Sequence, residues 1–202
     1  MPRTKLNNLH DKIKNTKKKK IETRRNKIDK EDIVLLPKDY KLFCDTVFMC
    51  YIRYRDGWIC GLTGKQFDVG DYSKYQACHF VPKSRLAGRY LEENCHGQSA
   101  WCNYQESLGN PYWVNRYTEF MNKKYGRKRV NEIFQLNFTH SNWKLKDWKQ
   151  KAKEVYQQAC SLENGSEIVS GRLSMVYKTL RDKKKLDLIL KEIALEGNQG
   201  VS

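Results

Sequence analysis

A chain of 202 residues carrying 39 Lys and Arg against 23 Asp and Glu, a formal net charge of +16, can build one modest core and is drawn to a polyanion, nucleic acid being the usual one. No apolar run approaches the ~20 residues needed to span a bilayer, and the basic, polar start lacks the apolar stretch of a secretory signal, so membrane-spanning and secreted classes drop out. The expected setting is cytoplasmic, and the seven cysteines are then thiols or metal ligands rather than disulfides.

Residues 1–32 form a basic arm. The first thirty hold 12 Lys and Arg, with Lys17, Lys18, Lys19 and Lys20 in one block, against Asp11, Glu22 and Asp29. So little apolar surface cannot offset the entropy of ordering, and the nearly single-signed charge fits an arm that contacts DNA, a solvated tail being the plainer alternative.

Ordered sequence starts near Ile33. Tyr40, Phe43, Cys44, Val47, Phe48 and Tyr51 recur at helical spacing, and Asp56-Gly57 should stop that helix. Trp58 to Gly64 reads as a knuckle turn between short strands, and Tyr75 to Val81 as a second short strand. Residues 82–93 form a loop bearing Lys83, Arg85 and Arg89. These, with Arg127 and Lys128 further on, are expected to contact backbone phosphates, unless they are merely a solvated face. Ala100 to Ser107 should be a helix, interrupted at Gly109-Asn110-Pro111. Trp113, Tyr117, Phe120 and Met121 mark the next helix, whose aromatic residues suit a core better than a base-stacking platform. A short helix follows with Val130, Ile133 and Phe134 on its apolar side. Trp148, Ala152, Val155, Tyr156 and Ala159 give the face of another, and Leu173 to Leu195 one more helical pattern.

The residues that bear chemistry lie between Gln76 and Asn110. His79 stands in a strand-like run, Asn94 at a turn and Asn103 at a helix start. A histidine able to take a proton from water, near an amide oxygen able to hold a divalent cation, is a minimal set for phosphodiester hydrolysis. In order along the chain, Arg55-Asp56-Gly57-Trp58-Ile59-Cys60, His79-Phe80, Asn94-Cys95-His96, Cys102-Asn103, Leu108-Gly109-Asn110 and Tyr125 to Val130 resemble the phage NinG/Rap recombination proteins. That family belongs to the HNH (His-Me finger, treble-clef) endonuclease superfamily and is related to Holliday junction resolvases of the endonuclease VII type. The resemblance covers residues 40–136.

The resemblance implies an α+β fold in which a small ββα-metal finger, HNH and treble-clef-like, is embedded in a mainly helical chain. A nuclease domain at residues 33–138 would be followed by a helical extension at 139–202. His79 would be the general base, Asn94 would brace the loop that orients it, and Asn103 would bind Mg²⁺ or Mn²⁺. His96 is a second candidate base or phosphate contact, or else a turn stabiliser. The implied partner is DNA, branched as in Holliday junctions or D-loops, with the host cytoplasm as the setting. Symmetric incision of a junction calls for two active sites and hence a homodimer, for which the C-terminal helices are available. They could equally bind DNA.

Two departures stand out. Relatives carry a metal-binding Asp where this chain has Gln76, and a neutral amide holds Mg²⁺ less well than a carboxylate. Asp68 or Asp71 could supply the missing charge. Where the family pairs two Cys-x-x-Cys knuckles around zinc, this chain has Cys60-x-x-Thr63 and Ser99-x-x-Cys102. Two thiolates and two hydroxyls are a poor zinc set, so no structural zinc is expected. The knuckles should pack through Trp58, Leu62 and Trp101 instead, with Cys60 and Cys102 as small apolar fillers. A metal-dependent endonuclease of branched DNA is the first reading. A catalytically weak or inactive DNA-binding accessory protein on a degenerate finger is the alternative.

Overall fold

A computed structural model describes residues 33–163, 165, 169, 173, 180 and 182–197. Lys17 to Lys20 and the rest of the basic arm lie outside the described residues. The architecture below belongs to the unit Leu35–Ser202.

Helix α1, Pro37–Arg55, starts with Pro in its first turn, where the missing N–H costs nothing. Asp39 accepts the Leu36 N–H at 2.9 Å and also takes Lys185 Nζ at 3.0 Å. Its periodic face, Tyr40, Phe43, Cys44, Val47, Phe48 and Tyr51, is buried as the spacing predicts, with Ile52 buried beside it. It packs against Trp148, Ala152, Val155 and Ala159 of helix α5 (Leu145–Cys160) and against Leu186, Ile189 and Ile193 of helix α6 (Lys183–Gly197). These described residues of α5 and α6 thus pack within the chain.

Arg55 and Asp56 tie the end of α1 to the sheet. The Arg55 guanidinium pairs with Asp56 and donates to the Cys95 carbonyl at 2.7 Å, and Asp56 accepts the Gly97 N–H at 2.7 Å. The sheet has two antiparallel strands, β1 (Tyr75–His79) and β2 (Cys95–Ser99). Gln76 lies opposite Gln98, Cys78 opposite His96, and His79 opposite Cys95. Gly97 is required: a Cβ there would sit 1.6 Å from the Tyr75 hydroxyl. Tyr75 crosses over it to reach the Ile59 carbonyl at 2.9 Å. β1 ends at His79 and not at Val81, because Val81 turns to bond the Asn94 side chain rather than a strand partner.

β2 runs directly into helix α2 (Ala100–Ser107), capped by the Ser99 hydroxyl, and helices α3 (Pro111–Tyr125) and α4 (Arg127–Gln135) follow. A second core joins Cys60, Leu62 and Cys102 to Val81, Tyr117, Met121, Val130 and Ile133. Phe134 does not belong to it. Phe134 is 47% exposed and pairs edge-on with Phe138. The fold is α+β and helix-rich, with the small sheet between the two cores. Among the described residues no helix is long and apolar enough to cross a membrane.

Candidate functional site

A cleft of about 600 Å³ follows β1. Met49 and Arg53 of α1 line one side, and Asn103, Glu106 and Ser107 of α2 with Val114 and Tyr117 of α3 the other. Gln76, His79 and Lys83 also line it. Three residues singled out from the sequence as base and metal ligands, His79, Gln76 and Asn103, therefore share one cleft, although 27 positions separate Gln76 from Asn103.

His79 Nε2 lies 2.8 Å from the Arg89 carbonyl, which can only accept, so Nε2 bears the proton. Nδ1 is left with its lone pair, and its neighbour is Cys95 Sγ at the long distance of 3.7 Å. Burial and the nearby charges of Arg89 and Lys83 hold the imidazole pKa below its usual value, although the bond to the Arg89 carbonyl opposes this. The ring is thus neutral and basic at pH 7. Asn94 is fully buried. Its Oδ1 accepts the Val81 N–H at 2.7 Å, and its Nδ2 donates to the carbonyls of Val81 and Gly88 at 3.0 and 2.9 Å. It pins the segment after β1 to the loop that carries the Arg89 carbonyl.

On the other side of the cleft, Asn103 Nδ2 donates to Gln76 Oε1 at 2.7 Å. The sequence reading missed what lies beside them. Glu106 is one turn along α2 from Asn103, on the same face, and is the sole carboxylate among the cleft's lining residues. Its Oε1 is buried without a hydrogen-bond partner, as are both amide atoms of the fully buried Gln98. Burial pushes the Glu106 carboxyl up to about 7, against the Gln98 amide, which favours ionisation. The Gln98 amide bears on this carboxyl without closing a well-formed hydrogen bond and does not itself line the cleft, so Glu106 Oε1 is the one buried acceptor there open to a bound species. One carboxylate, two amide oxygens and room for water suit a hard divalent cation such as Mg²⁺. The i, i+3 spacing from Asn103 was the available signal for Glu106.

Asp68 and Asp71 do not line the cleft. Asp71 closes its own turn, accepting from Ser73 at 2.6 Å and pairing with Lys74 at 2.9 Å, which holds its carboxyl down to about 2. Arg53 is a cation that the sequence reading also missed. It lines the cleft, donates to the carbonyls of Met49 and Tyr75, and lies over the Tyr72 ring.

Of the proposed phosphate contacts, Lys83, Arg85, Arg127 and Lys128 are exposed. Arg89 is not. It is buried in a two-pronged ion pair with Asp45, and it also donates to the Lys83 carbonyl. Arg89→Met should lower stability by roughly 1–3 kcal/mol, because Asp45 would lose its charged partner. It should leave the salt dependence of DNA binding as in the wild type. A flatter salt slope with unchanged melting would return Arg89 to the phosphate contacts.

His96 is buried too, on the face of β2 turned toward α3. Tyr117 already donates its hydroxyl to the Cys78 carbonyl, so it accepts from His96 Nδ1 at 3.3 Å, while Nε2 accepts from Tyr125 at 2.8 Å. A neutral ring satisfies both contacts and offers nothing to a phosphate. Burial, assisted by Lys124, brings its pKa down to about 3. The unfolded chain takes this proton near 6.5. The stability held by the neutral ring is therefore complete above pH 6.5 and is lost as the pH falls toward 3, by at most about 1.4 kcal/mol per pH unit. Between pH 7 and 4, wild-type melting should drop more steeply than that of His96→Phe. Parallel curves would show that His96 does not titrate on unfolding.

The two knuckles converge. Cys60 and Cys102 are fully buried in the same core, and the Ser99 hydroxyl accepts the Cys102 N–H at 3.1 Å. Two thiols and two hydroxyls do not fit a structural zinc. Among the described residues no group of three or more His, Cys, Asp and Glu is arranged to hold a metal ion. Trp58 and Leu62 are buried as expected, but Trp101 is 58% exposed and packs outward, edge-on to Trp113 at 4.8 Å.

A family model described as bacteriophage lambda NinG protein matches residues 2–167. No curated protein and no solved structure matches the chain.

Proposed function

The chain belongs to the bacteriophage lambda NinG family, and from that premise we propose that the β1 cleft is the active site of a metal-dependent endonuclease acting on branched DNA in phage recombination. The observation that carries this reading is the meeting of His79, Gln76, Asn103 and Glu106 in one cleft, with the acceptor oxygen of Glu106 left unpaired. The order of β1, β2 and α2 supports an HNH-type ββα finger as the scaffold. Glu106, Asn103 and Gln76 would hold Mg²⁺ or Mn²⁺, which supplies positive charge to a phosphodiester and to its leaving oxygen. His79 Nδ1 takes the proton of the attacking water, and Nε2, fixed on the Arg89 carbonyl, keeps the ring in the tautomer that can do so. Asn94 braces the loop through the neighbouring Gly88 carbonyl, and Arg53 and Lys83 meet the phosphate charge. A cut on each of two opposed strands would take two copies of the chain.

One observation favours a second reading, a DNA-binding accessory protein with little or no catalysis. The Gln76 oxygen is already bonded to Asn103, and a neutral amide stands where the family resemblance implies a carboxylate. Purified chain with Mg²⁺ or Mn²⁺ on labelled four-way junction, flap, linear duplex and single strand separates the two. Cleavage of the branched substrates supports the endonuclease, and tight binding without cleavage supports the accessory protein.

A further inference from the structure

Helix α2 presents a second face, turned away from the cleft. Trp101, Tyr104 and Leu108, at i, i+3 and i+7, are 58%, 57% and 61% exposed, and Tyr112 at the start of α3 adds another exposed ring. Trp101 is braced rather than loose, since Trp113 meets it edge-on at 4.8 Å and Arg116 lies over the Trp113 ring at 5.9 Å. Beside Trp101 opens a mainly apolar groove of about 500 Å³, lined also by Lys65, Phe67, Lys74 and Ala100 and by the knuckle residues Thr63, Ser99 and Cys102. Lys65 lies over the Phe67 ring at 5.3 Å, and Lys74 is shared with Asp71.

A row of exposed apolar side chains beside an open apolar groove is the kind of surface that binds a partner. Its occupant is indicated by the rim. Lys65 and Arg116 give the rim a net positive charge even with Lys74 paired to Asp71, which a phosphate backbone complements and a second copy with the same basic rim does not. The floor is apolar and aromatic, and a base shows such a floor its π-face only when it is unpaired. Duplex DNA hides those faces in the stack.

We propose that the Trp101 groove is a nucleotide subsite that stacks an unpaired base of single-stranded DNA, with Lys65 and Lys74 on the adjoining phosphates. It rests on the reading of this chain as a DNA-binding protein, and it does not depend on catalysis in the β1 cleft. Stacking of this kind tolerates any base sequence and is sensitive to salt at the flanking phosphates.

Fluorescence anisotropy with labelled oligothymidylate and with a labelled linear duplex, on wild type, Trp101→Ala and Trp101→Phe, tests it. Trp101 is largely exposed, so neither variant should disturb folding, and sedimentation on the same samples reports assembly. Trp101→Ala should weaken oligothymidylate binding about 5- to 100-fold and leave duplex binding unchanged, with Trp101→Phe recovering most of the loss. Equal single-strand affinity in all three proteins would overturn the subsite while leaving DNA binding intact. So would a Trp101→Ala variant that dissociates into monomers but binds single strands normally, because the face would then join two copies. A wild type that binds no DNA of either form would overturn the DNA-binding reading itself, and the subsite with it.

Discussion

Replacing His79 with alanine is expected to slow single-turnover, metal-dependent incision by about 10²- to 10⁴-fold while leaving junction affinity nearly unchanged. The imidazole contributes a neutral nitrogen with a lone pair, because the Arg89 carbonyl fixes the proton on Nε2 and burial, by lowering the pKa, leaves the resting ring uncharged. DNA affinity comes chiefly from phosphate contacts, and His79 is not one of the exposed cations. The ring also packs on Phe48, with centroids 6.2 Å apart, so part of any loss could be structural. His79→Gln separates the two effects: its amide can still donate toward the Arg89 carbonyl, yet it cannot accept a proton at neutral pH. Both variants should be equally slow. A loss smaller than about tenfold in either would mean that another group takes the proton.

Glu106→Gln should also have a large effect, read in a different variable. The substitution preserves shape and removes the one formal negative charge lining the cleft. Charge supplies most of the attraction for Mg²⁺. The concentration for half-maximal incision should rise by at least about 10- to 100-fold, the loss produced by removing even an outer-sphere partner of a metal site. Without metal the variant should be no less stable than the wild type, since a buried carboxylate with an unpaired oxygen costs free energy. Lost activity with kept stability is the signature of a ligand, whereas lost activity with lost stability would make Glu106 a structural residue.

Much of this was legible in the sequence, for reasons that differ by element. Helix α1 could be read because Tyr40 to Tyr51 obey the helical period and each such residue is buried in the core. Placing His79, Gln76 and Asn103 together depended on motif order, since no periodicity links a strand to a helix 27 residues away. Arg89 was misjudged because a charge does not reveal its partner, and Asp45 lies 44 positions upstream on α1. His96 looked available beside Asn94, but the strand alternation that turns it into the α3 side also buries it. Asp68 and Asp71 are near the site in sequence yet sit in a turn of their own. Glu106 was readable from its spacing to Asn103. Trp101 was not, because only the packing of α3 decides which face of so short a helix is left in water.

The most direct test of a metal-dependent phosphodiesterase in the β1 cleft is single-turnover incision of a labelled four-way junction by the wild-type chain, followed as Mg²⁺ is titrated from chelator upward. The expected result is no incision in chelator, a rate that rises with Mg²⁺ and saturates, and loss of that saturable rate in His79→Ala. A junction that is bound but stays uncut at every Mg²⁺ and Mn²⁺ concentration, or that is cut equally by His79→Ala, would contradict it.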